Sequence, residues 1–114
     1  MPKDESFHEY VVDLLRNFPG ITSRGMFSGW ALYQDGIVFA LIAEGELYFK
    51  SDKSIQIYFE QADSHPFVYM RKDSKPITLA YWSVPEEVLE DEEALSLWTE
   101  RSVEASKRAG KTKE

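Results

Sequence analysis

Phe7, Tyr10, Val11, Leu14, Leu15 and Phe18 recur at the spacing of one helical face, so the chain opens with an amphipathic helix. Ser6 and Glu9 have capping-box spacing at its start, and Pro19-Gly20 stops it. The pattern then changes period. Met26 to Tyr33 reads as a strand region that leads through Asp35-Gly36 into the apolar run Ile37 to Ala43. Asp-Gly between two such runs predicts a hairpin, because both residues tolerate the positive φ of a primed turn. Glu44-Gly45 is a second turn and Leu47 to Lys50 a third strand, giving a three-stranded meander.

Ser51 and Asp52 are placed to cap a second helix, along which Ile55, Tyr58, Phe59 and Ala62 repeat at helical spacing. His65-Pro66 breaks it. Phe67 to Met70 and Ile77 to Trp82 form a second strand pair around the polar loop Arg71 to Lys75. Pro85 suits the first position of a short helical turn over Glu86 to Leu89. A longer helix follows from about Glu92 to Ala109, with Leu95, Trp98, Ser102 and Ala105 inward and Gly110 as its terminator. The order α-β-β-β-α-β-β-α(α), with tight turns between strands, predicts an α+β fold on a two-layer antiparallel sheet. One domain spans 1–114, with an ordered core over about 6–109 and a flexible tail over 110–114.

Alternation raises a question about the sheet. Ile37, Phe39 and Leu41 should point one way and Val38, Ala40 and Ile42 the other, and both sets are apolar. Met26, Trp30 and Leu32 stand likewise against Phe27, Ala31 and Tyr33. Both faces therefore want cover. The first two helices can cover one; the C-terminal helices or a second copy of the chain could cover the other. Because the inner stripe of the last helix thins towards its end, a homodimer through a sheet face or edge is the expectation.

Composition narrows the classes. The chain has 43% hydrophobic residues, enough for a core at 114 residues without staples. It has no cysteine, which removes disulfides and thiolate metal sites. No apolar run has the length of a membrane span and no apolar signal segment opens the chain, so the expected location is the cytoplasm. A formal net charge of −7 argues against duplex DNA as a partner of this chain, since duplex binders need a basic footprint.

The run Arg24-Gly25-Met26-Phe27-Ser28-Gly29-Trp30-Ala31-Leu32-Tyr33 carries a resemblance. It is similar to the opening of the TfoX N-terminal domain family, the domain that begins the TfoX/Sxy competence regulators. The family pattern Arg-x-Met-Phe-Gly-Gly, then Leu-Tyr and Asp-Gly, falls on Arg24, Met26, Phe27, Gly29, Leu32, Tyr33, Asp35 and Gly36. Leu47 to Lys50, Pro66-Phe67, Tyr81 to Pro85, Leu89, Leu95 and Trp98 continue it in order. Ser28 and Ala31 replace family glycines with other small residues. The competence regulators carry a second, helical domain, and this chain stops before one. The resemblance implies the fold and a regulatory role, with no catalytic residues to transfer.

Candidate chemistry is sparse. Arg24, Gly29 and Lys50 are the candidate partner or anion site: two cations, and a glycine that could let a ligand or backbone approach closely. The same cations also suit a structural ion pair, or stems laid on apolar surface with their heads in water. His8 falls off the first helix's apolar stripe and should be solvated, and His65 precedes a proline in a loop. Neither has a ligand-spaced partner, so no metal, cofactor or catalytic residue is expected. Glu86, Glu87, Glu90, Asp91, Glu92 and Glu93 read as helix starts that oppose the dipole, and Lys107, Arg108, Lys111 and Lys113 as the complementary end. The abundant aromatics have few basic neighbours, which favours core packing and a protein interface over single-stranded nucleic acid. A non-enzymatic module with a protein partner leads; a small-molecule enzyme and a nucleic-acid binder are the alternatives.

Overall fold

The computed structural model describes residues 5–26, 29–69 and 77–112. Phe27, Ser28, Met70 and the loop Arg71 to Lys75 lie outside the described residues, as do Lys113 and the side chain of Lys111. The fold is α+β: α1 (Glu5–Leu14), β1 (Ile21–Met26), β2 (Gly29–Gln34), β3 (Ile37–Ala43), β4 (Glu46–Lys50), α2 (Gln56–Gln61), β5 (Pro66–Tyr69), β6 (Ile77–Ser83), α3 (Glu86–Leu89) and α4 (Glu92–Thr112). The strands form one antiparallel sheet in the order β1-β2-β3-β4-β6-β5.

Two strands stand where the periodicity shows one strand region. The segment read from Met26 splits: β2 begins at Gly29, and Ile21–Met26 folds back as β1, the outer edge. Its residues Thr22 to Met26 are exposed, so they carry little of the apolar alternation by which a strand is recognised. The turns fall as predicted. Asp35 (φ 51°) and Gly36 (φ 83°), then Glu44 (φ 54°) and Gly45 (φ 76°), are the left-handed pairs that primed hairpin turns need.

The pair β5–β6 attaches to the meander through β6, whose Tyr81, Trp82 and Ser83 face Lys50, Phe49 and Tyr48. Thus β4 and β5 run parallel on either side of β6, and α2 is the crossover between them. α2 ends ahead of His65-Pro66. Asp63 turns left-handed (φ 59°), while Asp63 N–H donates to Glu60 and Ser64 N–H to Phe59, closing the helix in a Schellman motif.

The helix boundaries differ from expectation in four places. Ser6 lies inside α1, which already begins at Glu5. Asp52 precedes α2 by a turn: its carboxylate accepts the N–H and hydroxyl of Ser54, and its carbonyl accepts Ile55 and Gln56 N–H. Pro85 is the extended N-cap of α3, one position before the helix. α4 runs through Gly110 to Thr112, because a glycine terminates a helix only where the chain turns left-handed, and Gly110 keeps helical geometry. Asp91 caps α4, accepting the N–H groups of Glu93 and Ala94, with Glu92 and Glu93 in the first turn.

All four helices pack on one side of the sheet. Cross-strand register puts Leu32, Ala40, Phe49 and Trp82 in one row, and Trp30, Ile42 and Leu47 in the next. These rows meet Val11 of α1 and Leu15 just after it, Phe59 of α2, Val88 and Leu89 of α3, and Leu95, Val103 and Ala105 of α4 in one core. Phe59 packs its ring against both Trp82 and Trp98, 6.1 and 4.9 Å between centroids. A bulge in β3 changes the expected alternation. Leu32 pairs with Ala40 but Tyr33 pairs with Val38, so Phe39 is the extra residue. Phe39 and Ala40 are both fully buried in the helix-covered core, leaving Val38 and Leu41 for the other face.

Candidate binding face of the sheet

Among the described residues, no helix lies on the opposite face. Arg24, Ala31, Leu41, Tyr48 and Ser83 are consecutive cross-strand partners and form one row across it. Thr22, Tyr33 and Val38 lie in the adjacent row, and Lys50 and Tyr81 pair on the same side. Ala31 and Tyr48 are 3% and 7% exposed, yet neither belongs to the core cluster under the helices. Tyr48 packs edge-on against Phe67 at 4.9 Å and His65 at 5.9 Å. Tyr33, Val38, Leu41, Lys50 and Tyr81 are half-buried, and Met26 at the rim is 43% exposed.

Of the three candidate residues, two share this face. Arg24 sits exposed on β1 with no ion-pair partner among the described residues. Lys50 ends β4 with its Nζ 5.2 Å from the Tyr81 ring centroid and likewise has no carboxylate partner among the described residues. Burial first, and then repulsion from Tyr33, raises the Tyr81 phenol above its ordinary pKa, which keeps it a neutral donor beside the ammonium. Three strand spacings and two residues along the strand separate Arg24 from Lys50, roughly 16 Å between backbones. Gly29 does not join them. It is buried, and a Cβ there would fall onto the carbonyl oxygen of Ile42 on β3, so its role is close backbone approach within the sheet.

Two histidines have surroundings that the sequence did not show. His8 is half-buried rather than solvated: its ring stacks on Trp30 at 4.2 Å and 6°, with Nε2 3.0 Å from Ser23 Oγ, pinning α1 over β1 and β2. One histidine beyond the apolar stripe suffices for this contact once β1 exists beside β2. His65 joins Glu46, Tyr48 and Ser83 at the β5 end of the open face. Its backbone N–H donates to Ser83 Oγ (3.0 Å), its Nδ1 lies 3.3 Å from the same oxygen, and its Nε2 is 3.2 Å from Glu46 Oε1. Tyr48 donates to that carboxylate oxygen at 2.8 Å. Burial first, then the Glu46 hydrogen bond, raises the Tyr48 phenol far above its ordinary pKa. Serine, imidazole and carboxylate in line resemble a nucleophile relay. Here, however, the hydroxyl is buried and accepts the main-chain N–H of His65, a contact that seats the start of β5 on β6.

Among the described residues no group of three or more histidines and carboxylates is placed to hold a metal ion, and no helix is long and apolar enough to cross a membrane. A six-stranded sheet with every helix on one side and a tyrosine-rich face on the other makes this a two-layer α+β sandwich. Its family is shown by sequence: the model of the TfoX N-terminal domain matches residues 13–106, and the chain belongs to that family. A search of curated proteins gives no match.

Proposed function

We propose that this TfoX N-terminal domain is a non-enzymatic regulatory module, of the competence-regulator kind, that binds a protein partner through the helix-free face of its sheet. One observation carries the reading: half-buried Tyr33, Val38, Leu41 and Tyr81 stand on a face that none of the four helices covers. A soluble sheet normally presents polar residues on an uncovered face, and aromatic and aliphatic side chains there fit an interface. The test is a photo-crosslinking residue placed at Thr22, exposed on this face of β1, or at Asp13 on the helical layer, in the native cytoplasm. Protein adducts from position 22 and none from position 13 are the expected result. Adducts from position 13 alone overturn the docking face.

A homodimer is a second reading. β1 is an edge strand of six residues, its ladder to β2 is unbroken by a bulge, and it contains no proline. Such an edge is a template for pairing with another strand.

A further inference from the structure

We infer that the partner segment taken by the open sheet face is acidic and extended, with two carboxylates spaced to reach Arg24 and Lys50. The inference rests on the docking face proposed above and adds the chemistry of its occupant.

Charge is the first argument. The chain is acidic overall, at −7, but its carboxylates are segregated. Glu5, Glu9 and Asp13 belong to α1, and Glu86, Glu87, Glu92, Glu93, Glu100 and Glu104 to α3 and α4. On the open face the rows hold Arg24 and Lys50, while two carboxylates, Glu46 and Glu44, stand near Tyr48 at the β5 end; Glu46 is already engaged by Tyr48 and His65. Arg24 and Lys50 are thus two separate cationic points on this face. Its two cations lack internal carboxylate partners among the described residues, and a partner's carboxylates would supply them.

Geometry is the second argument. The row between the cations runs Arg24, Ala31, Leu41, Tyr48, with Ala31 and Tyr48 buried and Leu41 half-buried. A segment crossing the strands would meet Leu41 with apolar contact between two charged ends. An extended chain advances about 3.4 Å per residue and repeats its side-chain direction every second residue. Carboxylates four residues apart then lie on one side about 14 Å apart, within reach of the flexible Arg24 and Lys50 stems. Two cations at that separation are too few for the continuous basic groove of a single-stranded nucleic-acid site.

The experiment uses the full chain, 15N-labelled, titrated with a nine-residue synthetic peptide holding two glutamates four positions apart around aliphatic residues. Its glutamine counterpart and a ten-nucleotide oligothymidine are run alongside. Saturable shifts at Ala31, Leu41, Lys50 and Tyr81 are expected with the glutamate peptide, at least tenfold weaker with the glutamine peptide. Arg24→Glu, and Lys50→Gln beside Lys50→Glu, should each weaken binding about tenfold while the spectrum keeps its dispersion. Several results overturn the inference: no saturable shift at millimolar peptide, equal binding of the glutamine peptide, shifts on the helical layer, or oligothymidine alone saturating this face. Shifts of the same residues on simple concentration would assign the face to a second copy and overturn it too. Crosslinks from position 22 to a protein without an acidic segment would sink this inference while leaving the docking face standing.

Discussion

Gly29 shows how one side chain can be excluded by a neighbour's backbone. β2 and β3 approach so closely at Gly29 and Ala43 that a methyl at position 29 would occupy the place of the Ile42 carbonyl oxygen. A flexible side chain could move aside, but a carbonyl in a central ladder cannot move without breaking the register. Gly29→Ala is expected to cost about 3 kcal/mol, the upper end of overpacking penalties, read as a lower urea midpoint by tryptophan fluorescence. A shift below a few tenths would mean that the strands can separate there. Asp52 gives the pH counterpart. Its hydrogen bond to Arg108 (2.7 Å), aided by Ser54, holds its pKa at about 2 against an ordinary value near 3.8. A depressed carboxylate pKa stabilises the fold above the unfolded value, and that contribution is lost as pH falls from about 4 to about 2. Since the two side chains are 29% and 45% exposed, solvent screening keeps the contribution to about 1 kcal/mol or less. Asp52→Asn should therefore lower stability by that amount at pH 5 and above. The gap from the native chain should close as pH falls towards 2, measured by urea titration across the window.

At the scale of elements, the bulge in β3 and the polar inner face of α4 explain each other. Phe39 is the extra residue of the bulge, and its carbonyl needs a partner outside the ladder. Ser102 of α4, fully buried, places its hydroxyl 2.8 Å from that carbonyl and 2.9 Å from the carbonyl of Lys50, bridging β3 and the end of β4. The two carbonyls share the single hydroxyl proton, so Ser102→Ala removes one donor from a buried site, at an expected cost of about 1–3 kcal/mol in urea unfolding. Thr99 is one turn earlier and also buried, but its hydroxyl has no hydrogen-bond partner among the described residues. Thr99→Val replaces that hydroxyl by a methyl of similar size, and stability should stay level or rise. If both variants lose the same amount, the Ser102 bridge contributes nothing of its own.

For the molecule as a whole, placing all the helices on one side decides what the other side can do. An apolar run such as Ile37 to Ala43 calls for cover on both faces, and the C-terminal helices could have supplied the second layer. They join α1 and α2 on the first layer instead. What remains is a face of tyrosines and two cations, and an unblunted edge at β1. If the edge pairs with a second copy, sedimentation equilibrium will show a dimer mass at micromolar concentration. Ser23→Pro, which removes a backbone N–H from β1, will then shift it towards monomer while circular dichroism stays native. A monomer mass into the high micromolar range removes the homodimer.

Local physical chemistry alone determined a good part of this. The first helix stripe as far as Leu14, the run Ile37 to Ala43 and the turns at Asp35-Gly36 and Glu44-Gly45 depend on near neighbours in sequence and form where the pattern put them, whereas Leu15 and Phe18 fall in the turn after α1, ahead of the expected stop at Pro19-Gly20. The collinear residues from Arg24 to Trp98 likewise carried the family and its α+β class. Other features depended on contacts between distant segments. β1 was not legible because an exposed edge strand has no apolar alternation, and its pairing with β2 is what defines it. Arg24 and Lys50 were legible as cations, but their common face follows from a register counted across four strands. The bulge at Phe39, the stacking of His8 on Trp30 and the contact of His65 with Ser83 each join residues far apart in the chain. Periodicity tells a side chain which way to point relative to its own strand or helix; only packing against the rest of the chain decides what it meets there.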